Sequence, residues 1–266
     1  MLYSFVLRKK RYCDIINYKY AIGGDFVKSE VLHVEFDNVT MEEAVDRAIE
    51  LINEDGFKYV VTPNPEIVWL CRKDEELREA VSSAALVIPD GIGVIYGAKM
   101  LKRPLKEKVP GADFAERVIS ALAAEHKSVF LFGAKPGVAE LAAEKLSEKY
   151  PGIVIAGTND GYFSDDEPII DKINAAKPDL LLVCLGAPKQ EKWMKKNADK
   201  LSAKLAIGLG GSLDVYAGVV ERAPEKWQKM NLEWLYRIVK QPKRIGRAMR
   251  LPAFMLAVLG ERISGK

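Results

Sequence analysis

The sequence is poor in the residues that build metal centres. It has three cysteines, Cys13, Cys71 and Cys184, and two histidines, His33 and His126. The cysteines are scattered, odd in number and form no C-x-x-C pair, which argues against a disulfide framework or a zinc site and fits a reducing compartment. Cys184 falls in an apolar run, where a thiol acts as a small hydrophobe. The histidines are too isolated to cluster, so both read as structural and no metal site is expected. No run reaches the roughly 18 apolar residues of a membrane span. The basic residues at 8–11 lack a following apolar segment, so no secretory leader is expected. Asp-x-Asp does not occur, nor does G-x-x-x-x-G-K-[ST].

What is present is a soluble globular composition, 48% apolar with a mean hydropathy of −0.06. A chain of 266 residues can bury one large core, or one core plus an appendage. The net charge of +3 conceals an asymmetry. Residues 226–266 carry ten Lys or Arg against two Glu, a local charge of +8 that leaves −5 for the rest. A basic tail on an acidic body calls for an anionic partner.

From residue 31 onward the pattern is strand, Gly/Pro turn, helix, repeated about six times. Short strands are expected at 31–36, 57–61, 84–88, 128–132, 153–157, 180–185 and 204–209, with 180–185 the most apolar and hence central. Thr40-Met41-Glu42-Glu43 is a capping box that opens a helix with Met41, Ala44, Val45, Ala48, Ile49 and Ile52 on one face. Repeated βα units predict an α/β fold, a Rossmann-like, mostly parallel sheet with helices on both faces and a C-terminal amphipathic helical appendage. The expected division is 1–29 as an extension outside the core, 30–222 as the catalytic domain and 223–266 as the appendage.

In such sheets ligands bind at the carboxyl ends of the strands. Pro89-Asp90-Gly91 places a carboxylate there, either as a cap on the next helix or as a catalytic base. Thr62-Pro63-Asn64-Pro65 presents Thr62 and Asn64 at the same edge, held rigid by two prolines. The turn from Gly133 to Gly137 offers backbone N–H groups to a phosphate, or simply packs tightly. Tyr162 stacks on a base or packs. In Gly186-Ala187-Pro188-Lys189-Gln190-Glu191, Pro opens a helix, polar side chains are expected to face the crevice, and Lys189 is expected near any phosphate. Gly210-Gly211-Ser212-Leu213-Asp214 allows close backbone approach, with Asp214 suited to ribose hydroxyls. Convergence of these turns on one edge implies a nucleotide-type crevice. A dehydrogenase would want G-x-G-x-x-G after the first strand, whereas Gly208-Leu209-Gly210-Gly211 follows the last.

The tail differs from the body. Trp227, Met230, Trp234, Leu235 and Ile238 share a helical face, interleaved with Arg237, Lys240, Lys243, Arg244, Arg247 and Arg250. Basic and aromatic residues on amphipathic helices suit an anionic membrane surface; the alternative is a packed helix with a solvated basic face. Nucleic acid is not expected, because no binding module accompanies the charge. A homo-oligomer stays open, since the apolar segment 251–259 can dock on lipid, on its own core or on a neighbouring copy.

Taken together the turns resemble the WecG/TagA/CpsF glycosyltransferases. The matching segments are 37–45, Thr62-Pro63-Asn64, Pro89-Asp90-Gly91, Gly161-Tyr162-Phe163, Gly186 to Glu191, Gly210 to Asp214, Arg222-Ala223-Pro224 and 232–237, spanning about residues 31–255. Leu213 stands where the family often shows an aromatic. The resemblance implies inverting transfer of N-acetylmannosamine, or a related sugar, from a UDP-sugar to the 4-hydroxyl of GlcNAc on polyprenyl diphosphate, in polysaccharide synthesis. It implies Asp90 as general base, Thr62 and Asn64 near the transferred sugar, and Gln190 on the substrate side. Tyr162 and Asp214 match the nucleoside site, and Arg237 the diphosphate, with Arg244 and Arg247 as further cations. Without Asp-x-Asp no metal or other cofactor is expected. The corresponding location is cytoplasmic, peripheral on the inner face of the plasma membrane. The competing readings are an NAD(P)-binding oxidoreductase and a non-catalytic membrane adaptor.

Overall fold

The computed structural model describes residues 26–240 and 245–264, without the side chains of residues 237, 247 and 248. The described residues open on an antiparallel hairpin, β1 (Lys28–Val31) and β2 (Val34–Asp37), where the sequence suggested one strand. The turn is Leu32-His33, both at positive φ (50° and 65°), as a tight two-residue hairpin requires. Neither residue is a usual turn former, so the reversal left no mark in the pattern. The capping box then starts α1 (Met41–Asn53): Thr40 Oγ1 accepts from Glu43 N at 3.2 Å and the Glu43 carboxylate accepts from Thr40 N at 2.8 Å.

Six βα-type strands follow: β3 (Lys58–Val61), β4 (Leu86–Val87), β5 (Ser128–Gly133), β6 (Val154–Asn159), β7 (Leu180–Cys184) and β8 (Leu205–Gly208). They form one sheet in the order β4-β3-β8-β7-β5-β6, every pairing parallel. The segment expected to be a strand at 84–88 forms only two ladder residues at the edge, although Leu86, Val87 and Ile88 are all buried. The apolar β7 is interior, between β5 and β8.

Side-chain alternation sends successive residues to opposite faces. Val60, Leu131, Leu182 and Ile207 enter one core; Tyr59, Val61, Phe130, Phe132, Leu181 and Val183 enter the other. The first face is covered by α1, α5 (Gly111–Ala124), α6 (Val138–Lys149) and α9 (Ser212–Tyr216). The second is covered by α2 (Pro65–Cys71), α3 (Glu75–Ser82), α4 (Ile92–Met100), α7 (Glu167–Ala176) and α8 (Lys189–Lys196). Asp165 and Asp166 lead into α7, with Asp166 at its N-cap position.

The tail forms α10 (Glu225–Lys229), α11 (Glu233–Lys240), α12 (Ile245–Ala248) and α13 (Arg250–Ser264). Within the apolar segment 251–259, Phe254 and Val258 are fully buried in the second core. Phe254 lies against Gly97 of α4, where an added Cβ would sit 3.0 Å from its ring, and Leu251 lies against Gly93. Arg250 pairs with Glu66 of α2. The last helix is therefore docked on the two helices that follow β3 and β4. Among the described residues no helix is long and apolar enough to cross a membrane.

Candidate active site

Because all six strands are parallel, all six exit turns lie along one lip. Their order is Asp90, then Thr62–Asn64, Gly210–Gly211, Gly186, Gly133 and Tyr162, following the strand order. Strands lie about 4.8 Å apart, so β4 and β6 are about 24 Å apart. Asp90 and Tyr162 thus stand at opposite ends of this lip and cannot touch the same ring of a ligand. Between β5 and β7 the chain departs in opposite directions, toward β6 and toward β8. Such a switch point is where α/β sheets open a ligand crevice.

At the Asp90 end, the turns after β3 and β4 are tied together. Asp90 N donates to Pro63 O at 3.2 Å, and Val109 N donates to Pro89 O at 2.9 Å. The N-cap position of α4 is Gly91, at φ +92°, and not Asp90. Gly91 packs on the neighbouring turn, its added Cβ falling 3.4 Å from Pro65 Cδ and 3.9 Å from Asn64 Cβ. Asp90 and Asn64, both half-buried, are thereby neighbours. Asn64 caps α2, its Oδ1 accepting from Ile67 N at 3.0 Å; capping uses only the oxygen, and the amide nitrogen is the remaining donor. Thr62 is buried, and its hydroxyl donates to Gly208 O at 3.3 Å. It stitches β3 to β8 and does not line the lip.

At the other end, Gly133 is locked against β7. At φ +131° its added Cβ would lie 2.3 Å from Cys184 O, so only glycine fits. Ala134 N donates to Cys184 O at 3.2 Å and Gly161 N to Ala134 O at 2.9 Å, which binds the exits of β5, β6 and β7 into one backbone surface. This is the close packing that was one of the two readings of that turn. Tyr162 is 69% exposed, so its ring is available for stacking. Lys189 is exposed, with its ammonium 4.0 Å from the centre of the Phe163 ring and 3.4 Å from Gly161 O.

In the middle, the expected crevice-facing polar side chains after β7 turn inward. Gln190 is 2% exposed and Glu191 fully buried. Gln190 Oε1 accepts from Gly210 N at 2.8 Å and its Nε2 donates to Glu191 Oε1 at 2.8 Å. Burial pushes the Glu191 carboxyl up to about 6. Gly210, at φ +56°, would meet nothing within 4 Å if it bore a Cβ, so the space above this turn is open. Asp214 is half-buried on α9. The Cys184 thiol below is pushed up to about 12 by burial and stays neutral, which removes it as a nucleophile. Among the described residues no three His, Cys, Asp or Glu side chains form a metal-holding cluster.

The tail reaches the Asp90 end. Lys108, next to the Val109 that holds Pro89, donates from its ammonium to Asn231 Oδ1 at 2.8 Å. Neither Lys108 nor Glu191 stood out in the sequence, one lying in a charged loop and the other beside a more conspicuous Gln. Arg244 and the side chains of Arg237 and Arg247 lie outside the described residues.

Comparison with known proteins identifies the family. The family model described as "Glycosyl transferase WecG/TagA/CpsF family" matches residues 29–266. A relative from Staphylococcus aureus strain MRSA252, named N-acetylglucosaminyldiphosphoundecaprenol N-acetyl-beta-D-mannosaminyltransferase, is 36% identical over 234 residues, 87% of this chain and 92% of the relative. A protein of the same name from strain MW2 is 35% identical over the same lengths. A match that runs from the first strand through the docked tail takes in both the crevice and the helices that buttress it, and the chain belongs to the WecG/TagA/CpsF family of glycosyl transferases.

Proposed function

We propose that this protein moves N-acetylmannosamine, or a closely related sugar, from a UDP-sugar to the 4-hydroxyl of GlcNAc on undecaprenyl diphosphate, with inversion. The observation that carries this reading is the single lip on which Asp90 with Asn64 stands at one end and the exposed Tyr162 at the other, about 24 Å apart. An extended sugar nucleotide suits that length, with its base at Tyr162, its ribose at Asp214 and its sugar toward Asp90. The names of the Staphylococcus relatives support the donor sugar and the lipid acceptor.

In the reaction the Asp90 carboxylate takes the proton of the acceptor 4-hydroxyl as the new O4–C1 bond forms. The C1–phosphate oxygen bond breaks on the opposite side, and UDP leaves with the electron pair, which inverts C1. Charge developing on the departing diphosphate needs cations. Arg237, Arg244 and Arg247 of the tail supply them, and the step needs no metal. Asn64 orients the sugar. Thr62 and Gln190, buried as they are, act by holding the turns. Gly133 and Gly186 shape the floor under the nucleotide, and Lys189 steadies that floor from the Phe163 ring.

The tail also docks the enzyme on an anionic membrane. It carries a local charge of +8, and each Lys or Arg near such a surface contributes roughly 1 kcal/mol. Val239, Ile245, Met249, Leu256, Leu259 and Ile263 are exposed beside those charges. The resulting location is the inner face of the plasma membrane, next to the lipid-linked acceptor.

The test is a panel of UDP-sugars with a soluble GlcNAc-diphospholipid analogue, with and without EDTA. Transfer from UDP-ManNAc, unaltered by EDTA, is the expected result. No transfer from any donor overturns the reading, and loss of transfer on chelation overturns its metal-free step.

A further inference from the structure

Among the described residues, Glu191 holds the one buried side-chain oxygen without a hydrogen-bond partner, and the reaction above leaves its chemistry unused. It is fully buried on α8, and its Oε2 meets no hydrogen-bond partner among the described residues. A buried carboxyl with an idle oxygen is destabilising, and an apolar residue of similar size would be neutral or better at that position. Its other oxygen, however, sits at the start of a directed chain. The Gly210 N–H is a donor only, so Gln190 must turn its oxygen toward it, as the 2.8 Å contact shows. The Gln190 NH2 is then forced to the other side and needs an acceptor there, which Glu191 Oε1 provides at 2.8 Å. Room for any other arrangement is small: a Cβ on Gly208 would lie 3.0 Å from Gln190 Nε2. The far end of the chain is Gly210, whose open side faces the centre of the crevice, next to the β3 turn that Thr62 fastens to Gly208.

We propose that Glu191 is a positioning residue for the transfer reaction: its accepting oxygen fixes the Gln190 amide in the one orientation that captures Gly210 N–H, and so sets the turn at the middle of the crevice. The reaction part of this rests on the glycosyl-transfer reading above; the capture of Gly210 does not. An acceptor is what the position requires, so Glu191→Gln should serve and Glu191→Met should not, even though Met fills the space without a buried charge.

Both variants of the full chain are compared with the wild type by melting temperature, by amide hydrogen exchange at Gly210, and by kcat and KM for UDP-ManNAc with the diphospholipid analogue. E191Q is expected to keep Gly210 protection and to transfer within about threefold of wild type. E191M is expected to melt no lower than wild type, yet to exchange Gly210 about tenfold faster and lose about tenfold in kcat/KM, the worth of one buried hydrogen bond. A residue that merely supports the fold would instead make activity follow the melting temperature. E191M with wild-type exchange and rate overturns the proposal. So does E191Q with Gly210 released, or the failure of both E191M and E191A to fold while E191Q folds. If no protein, wild type included, transfers sugar, the reading of the reaction fails, and the Gly210 exchange alone still decides the role of Glu191.

Discussion

The sheet body and the basic tail solve the problem of apolar surface in opposite ways. In the body, α5 alone buries Phe114, Val118, Ile119 and Leu122 completely, and the interior strands β5, β7 and β8 are almost wholly buried. In the tail, α10 buries no residue, and α13 buries Phe254 and Val258 while Leu256, at 69% exposure, and Ile263, at 77%, stay in solvent. Apolar groups in the body hold the fold together. Those in the tail are divided, one side seated against α2 and α4, the other presented outward among positive charges. The lesson is a division of labour: the body is closed around its two cores, and the tail keeps one apolar face outward, as the proposed membrane docking requires.

The sharpest way to break the comparison is at the carboxylate the body holds. Asp90→Asn should lower transfer about 10²–10⁴-fold, the usual share of a general base, with UDP affinity unchanged by calorimetry. Near-normal turnover would leave the body without its chemistry. Next comes the seam. Phe254→Ala should cost about 3–5 kcal/mol of the main unfolding transition, as for other large core deletions. An unchanged main transition, with a separate early one, would mean that tail and body fold apart.

A smaller effect lies within the body. Glu191 has its pKa raised to about 6, by burial, against 4.5 for the free group, so the native state binds its proton more tightly. Stability therefore falls as pH rises from about 4.5 to 6, by on the order of 2 kcal/mol. Glu191→Gln should be more stable than wild type by about that much at pH 7 and equal to it near pH 4. Cys71 on α2, its thiol pushed up to about 12 by burial and then by the Glu191 charge, stays neutral throughout and does not confuse the difference. A constant gap between the two proteins from pH 4 to 7 would refute this. Smallest of all, Leu256→Ser with Leu259→Ser should shift stability by no more than about 0.5 kcal/mol each, while weakening flotation with anionic vesicles. Unaltered flotation would assign the outward face to something other than lipid.

Much of this was legible in the sequence wherever local rules decide structure. Thr40 and Glu43 form the reciprocal cap their spacing announces, and the strands expected at 57–61, 128–132, 180–185 and 204–209 end within one residue of the Gly/Pro turns that follow them. The shared edge followed from repetition of βα units alone. What stayed hidden depends on contacts between distant segments. The Leu32-His33 reversal is imposed by hairpin pairing. The inward turn of Gln190 and Glu191 is fixed by Gly208 and Gly210, at least seventeen residues away in the sequence. Periodicity marks an apolar face on α13, but only the notches at Gly93 and Gly97 determine which half of it is covered.

One small detail near the start of the chain reaches beyond catalysis. Asp37, at the end of the hairpin, accepts the Val87 N–H at 2.7 Å, on the outermost strand of the sheet. A naked strand border is an invitation to pair with another molecule. Here a single carboxylate occupies one donor that a foreign chain would need, which leaves that flank a poorer template for strand addition.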